Sequence, residues 1–147
     1  MADVAAVAAL VVAFVNGLAG VFGAVRWWFV SPSRAFWWLV RAGQLAAVGL
    51  ALAAGALAVS GEAPADGLFW LYALLPVAVA FVAEGFRAAS AQAVLDARGL
   101  EDAQAVGRLD DAGQQSVVLA ILRREMGVMA VAAGVVAVLA LRAWGTV

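Results

Sequence analysis

The sequence predicts an all-α integral membrane protein: a four-helix bundle whose third and fourth helices extend into the cytoplasm. Three observations carry that prediction. Hydrophobic residues make up 67% of the chain and charged residues 13%, against roughly 45–50% and 25% in an ordinary soluble domain. Four apolar stretches approach or reach the about 20 residues a helix needs to cross a hydrocarbon core. The basic residues cluster around two of the three connections. A chain of 147 residues has room for one domain, residues 1–147. Its expected spans are 4–26, 35–60, 67–86 and 123–144, with a cytoplasmic segment at 87–122.

The first span begins after Met1-Ala2-Asp3, which carries an acid and no basic side chain, while Arg26 follows the apolar run. That is the reverse of a secretory signal, so the helix is expected to be retained. Between the first and second spans lies "RWWFVSPSRAFWW". Amphipathic rings favour the headgroup layer, so Trp27, Trp28, Trp37 and Trp38, together with Phe29 and Phe36, read as an interfacial aromatic anchor. Ser31 followed by Pro32 is a helix-start pattern and predicts that the second helix begins near Pro32.

The third and fourth apolar runs are short and must continue through polar residues to span. The third helix is therefore expected to reach about Ala97, with a bend near Pro76, whose ring removes one backbone hydrogen bond. "GLEDAQAVGRLDDAG" reads as a turn region with one short helix. Gln114 to Arg124 is expected to lead into the fourth helix without a break.

All nine basic residues are arginine, and with abundant alanine, valine and glycine this is a composition expected of a high-GC bacterial genome. Eight of the nine flank the first and third connections. The second connection holds Glu62 and Asp66 and no base. The positive-inside rule then predicts a multi-pass protein of the cell membrane with both termini outside the cytoplasm.

Small residues recur at helical spacing: Ala9, Ala13, Asn16, Gly20 and Gly23 in the first helix, Gln44, Ala47, Ala51, Ala54 and Ala58 in the second, and Ala130, Ala133, Gly134 and Ala137 in the fourth. Helices in lipid associate through such close-packing faces. The valines of the fourth helix are expected to face lipid.

Depth along each helix points to a site. At 1.5 Å per residue, Gln44 and Arg41 lie roughly 24 and 28 Å below Ser60, Glu84 roughly 27 Å below Asp66, Glu125 roughly 25 Å below Arg142, and Asn16 roughly 20 Å below Asp3. Asn16, Arg41, Gln44, Glu84 and Glu125 thus fall in one layer, with Arg87, Arg123 and Arg124 just beyond it. Ionisable groups at that depth cost several kcal/mol unless paired or wetted. Three readings fit this buried polar cluster: a salt-bridge network that fixes helix register, a wet vestibule open to the cytoplasm that binds an ion, a proton or a headgroup, or simple snorkelling of unconnected side chains.

Function is less legible. With neither cysteine nor histidine, the usual thiol and imidazole routes to catalysis, metal binding and haem ligation are closed, and no nucleophile–base pair or phosphate-cradling loop stands out. We therefore expect no enzyme, no metal site, no cofactor and no nucleic-acid partner. The reading that requires least is a structural or accessory subunit of the lipid bilayer, docking on a second copy or another membrane protein through its small-residue faces. The alternative is a small oligomeric transporter or channel using the Arg/Gln/Glu cluster.

Overall fold

The computed structural model describes residues 1–147 and contains six helices: α1 (Ala2–Trp28), α2 (Arg34–Ser60), α3 (Leu68–Ala88), α4 (Ser90–Ala97), α5 (Ala103–Gly107) and α6 (Asp111–Trp144). Four helical stretches are long and apolar enough to cross a membrane: α1, α2, α3 with α4, and α6. Together they form a multi-pass four-helix bundle. In the bundle α1 packs on α2 and α6, and α3 packs on the same two helices, so α2 and α6 stand diagonally opposed.

The third and fourth spans are long, as their sequence requires. The α3–α4 stretch covers 30 residues and α6 covers 34; at 1.5 Å per residue α6 is about 51 Å long, some 20 Å more than a hydrocarbon core of about 30 Å. Helix α3 continues through Pro76, which is buried, and a one-residue interruption at Ala89 separates α3 from α4. Glu84 therefore lies inside a helix and not at its end. The overhanging parts pack on each other: Val94 and Leu95 of α4 and Val117 of α6 form a small core of their own, joined by Leu100, Val106 and Leu109. Arg98 clamps it from outside, donating to the Ser116 hydroxyl at 3.0 Å and the Ser116 carbonyl at 3.3 Å. The acids of this segment are mostly absorbed locally. Asp102 caps α5, Asp110 caps α6, and Asp96 accepts from Gln92.

The start of α2 differs from expectation. It begins at Arg34 with Ser33 at the N-cap, whose side chain makes no capping bond. Ser31 and Pro32 belong to the preceding turn, because α1 runs on to Trp28 and its end consumes them. There the Val30 amide donates to the Trp27 carbonyl at 3.2 Å and the Ser31 amide to the Arg26 carbonyl at 3.0 Å.

The small faces of α1 and α6 are used inside the bundle. Ala9, Ala13, Asn16, Gly20 and Gly23 are all buried, as are Ala130, Ala133 and Ala137, while Val131, Val135 and Val138 face outward. A Cβ on Gly20 would sit 3.1 Å from the Gly134 backbone nitrogen, so the two backbones meet there. The α2 face is rotated from the expected one: Phe36, Val40, Gly43, Ala47, Leu50, Ala54 and Leu57 are buried, and Ala58 is exposed. Large side chains on α2 fill the space left by the alanines Ala5, Ala9 and Ala13 of α1, the interdigitation that close packing demands.

Eight arginines gather at one end of the bundle, at the α1–α2 and α3–α6 connections and on α6's overhang, while Arg142 stands at the other. At that other end the Glu62 carboxylate accepts from the Met1 amino group at 2.9 Å and the Ala2 amide at 3.2 Å. These donors hold its pKa below the usual carboxylate range.

Candidate functional site

The polar layer forms at the arginine-rich end, and it is built from pairs one helical turn apart. Arg41 and Gln44 share a face of α2, and Glu84 and Arg87 share a face of α3, as residues three apart must. Glu84 is the hub. Its Oε1 accepts from Arg41 Nη1 at 2.5 Å and from Gln44 Nε2 at 2.8 Å, and its Oε2 accepts from Arg87 Nε at 2.7 Å. The Gln44 amide oxygen accepts from Arg41 at 2.6 Å, which closes the ring. Arg87 reaches on to Glu125 of α6 at 3.8 Å, a looser ion pair, and its guanidinium stands 5.9 Å over the Trp37 ring. Three helices are thereby tied together.

Two guanidiniums and two carboxylates leave this layer with no net charge. Glu125 and Glu84 keep 18% and 28% of their side-chain surface exposed, so the protein buries neither completely. The ion pairs and hydrogen bonds of the ring offset the several-kcal/mol cost that ionisable groups carry at such a depth.

Three residues of the expected polar cluster, Asn16 from the layer itself and Arg123 and Arg124 from just beyond it, do not join the network. Asn16 is buried apart from the ions, its Nδ2 donating to the Val12 carbonyl at 3.0 Å and across to the Gly43 carbonyl of α2 at 3.2 Å. Gly43 is what admits it, since a Cβ there would lie 2.5 Å from Asn16 Oδ1. Arg123 turns away toward α1 and stands 5.4 Å over the Trp27 ring. Arg124 is exposed and forms no ion pair. The reason is rotation: successive helical residues point about 100° apart, so of the run Arg123-Arg124-Glu125 only Glu125 faces the α3 arginine.

The aromatic anchor also divides. Trp28 and Trp38 are 71% and 76% exposed and stand free at the bundle surface. Trp27 and Trp37 turn inward beneath arginines, and Phe36 is fully buried against Gly23 and Ala130. Trp27 finds room because α6 carries Gly127 opposite it; a Cβ there would sit 2.9 Å from the indole nitrogen. The sequence pattern gave no notice of Gly43 or Gly127, since a glycine opposite a polar or aromatic side chain shows only once two helices are juxtaposed.

The void inside the bundle beside Asn16 and Gln44 measures about 10 Å³, enough for roughly one water. The arrangement can pin three helices in register and hold one interhelical amide bond. Replacing Asn16 with alanine is expected to cost about 1 kcal/mol, the range of interhelical hydrogen bonds in membranes. Reversible unfolding of the reconstituted protein by denaturing detergent would measure it, and an unchanged midpoint would refute the bond's contribution. Compared with known protein families, with characterised proteins and with solved structures, the chain gives no match.

Proposed function

We propose that this chain is a structural or accessory membrane protein, held rigid by its ionic layer. The single observation that supports this reading is the closure of that layer. Both Glu84 oxygens are taken by Arg41, Gln44 and Arg87, and the adjoining void has room for about one water. A translocation pathway through one chain would need an open, hydrated route past these groups. Most residues of the small faces first expected to dock partners pack inside the bundle, so docking falls to the part of them that stays open outside. The groove between α1 and α6 offers about 580 Å³ lined by Gly17, Val21, Val131 and Gly134, and a Cβ at Gly17 or Gly134 would touch nothing within 4 Å. Small residues of this kind let a partner helix approach closely.

The deciding experiment is ion and proton flux in vesicles reconstituted with the full chain. We expect no flux above empty vesicles, in wild type and in Glu84→Gln alike. Flux that is present in wild type and abolished in a folded Glu84→Gln protein would establish the oligomeric transporter instead. A photo-crosslinking side chain at Val131 should give a discrete heavier adduct in the native membrane. The same probe at Leu45, equally exposed on α2, should give none.

We further propose that the arginine-rich end faces the cytoplasm of a bacterial cell and that both termini lie outside. The eight-to-one arginine asymmetry supports this. Reporter fusions at Glu62 and Gly107 should report opposite sides, with Gly107 inside. An even mixture at both positions would overturn the orientation.

A further inference from the structure

A second feature at the arginine-rich end takes no part in the ionic layer. A cleft of about 380 Å³ lies where the end of α1 meets α4 and the start of α6's membrane portion. Its volume falls in the range of about 300–1,000 Å³ typical of small-ligand sites. Trp27, Val30, Val94 and Leu119 give it an apolar floor, and Arg123 and Arg124 stand at its edge. Neither arginine forms an ion pair. This is unlike Arg41 and Arg87, whose charges are cancelled by Glu84 and Glu125. Arg123 is held in place by its stack on Trp27, so one of the two cations is oriented before anything binds.

Val30 is the unusual member. It has φ +49°, the only non-glycine residue in the left-handed region. Its amide bonds to Trp27 and that of Ser31 to Arg26, the pair of bonds that ends a helix around a left-handed residue. That position is ordinarily glycine, because Cβ crowds the following carbonyl oxygen there. For a β-branched residue the conformation is a true outlier. The bond pair that ends α1 imposes the conformation, and strained residues of this kind cluster at ligand sites; here the side chain walls the cleft.

We propose that this cleft binds the phosphate of an anionic phospholipid headgroup, with Arg123 and Arg124 holding the phosphate oxygens and the apolar floor receiving the glycerol backbone and the first acyl carbons. The shared chemistry is a phosphate anion, which two guanidiniums suit better than any other cation pair because each presents a planar fork of donors. A lipid is favoured over free phosphate because four of the six residues named are apolar and the exposed rings of Trp28 and Phe29, at the interfacial depth, lie next along the chain.

The test uses the full chain in bilayers of phosphatidylcholine with a minor fraction of phosphatidylglycerol, extracted gently and weighed intact with its retained lipid. Wild type should keep one phosphatidylglycerol in preference to phosphatidylcholine, and the doubly substituted Arg123→Gln, Arg124→Gln protein should lose that preference by about tenfold. Arg34→Gln, which removes the same kind of charge from the same end, should leave it intact. Should loss of the Trp27 stack unfold the double variant, Arg124→Gln alone serves, because Arg124 has no ion pair to lose. Equal loss in Arg34→Gln and Arg124→Gln would reduce the effect to general surface charge and overturn the site. Inorganic phosphate that displaces the lipid and is itself retained would assign the cleft to a free anion and overturn the lipid reading.

Discussion

Gly23→Leu is expected to destabilise the bundle by about 3 kcal/mol, the upper part of the usual range for overpacking a core. The first atom added already has nowhere to go: a Cβ on Gly23 would run into the Phe36 ring and sit 2.9 Å from the Ala130 Cβ. Phe36 is fully buried and cannot rotate out without opening α1 from α2. The only relief is separation of α1 from its neighbours, which surrenders the close contacts that hold helices together in lipid. Gly49 and Gly55 provide the control, because a Cβ at either meets nothing within 4 Å. Leucine there should change stability little, or improve it through helix propensity. Unfolding midpoints in mixed micelles, read by tryptophan fluorescence, compare the three variants directly. Equal midpoints for Gly23→Leu and Gly49→Leu would show that the α1–α2–α6 contact is not where the structure puts it.

The second large effect is expected at Glu84. Glu84→Gln removes the charge that lies between Arg41 and Arg87 and leaves two guanidiniums with Glu125 as their nearest counter-charge. Breaking a buried ion pair by removing one partner costs about 3–5 kcal/mol. Here the side chains are only partly buried by the protein, 48% exposed for Arg41 and 28% for Glu84, so about 2 kcal/mol, below the fully buried range, is the expected figure. The test of mechanism is a double-mutant cycle with Arg87→Gln. If Glu84 acts through its arginines, the second substitution costs less in the Glu84→Gln background than in wild type. Coupling near zero would mean that the network is a set of independent side chains and ties nothing together. Glu84→Leu separates charge from shape, since it also strands the Gln44 amide that donates to Glu84 at 2.8 Å.

How much of this was legible beforehand follows from which quantities are one-dimensional. Apolar run length against bilayer thickness is read directly from the chain, and it determined the four spans. The same arithmetic required the third and fourth helices to overhang, and both do, through Ala97 and from Asp111. The grouping of eight arginines at one end follows from the order of the connections. Depth along a helix is also one-dimensional, so Glu84, Arg41, Gln44, Glu125 and Asn16 could be placed at one level, with Arg87 just beyond it, from rise per residue alone.

Rotation about each helix axis is a different matter, and only the tertiary structure decided it. Every helix must choose one azimuth that satisfies all its neighbours at once, and no single helix carries that information. Hence Arg123 and Arg124, adjacent to Glu125 in the chain, point elsewhere, and one of them stacks on Trp27. Hence also the α2 face turned from Ala51 and Ala58 toward Leu50 and Leu57, which fill space that α1's alanines leave. Asn16 found Gly43, and Trp27 found Gly127, because a missing side chain on one helix matters only when another helix is brought against it. The sequence by itself determined what each helix is and how deep its groups lie; packing determined which of those groups meet.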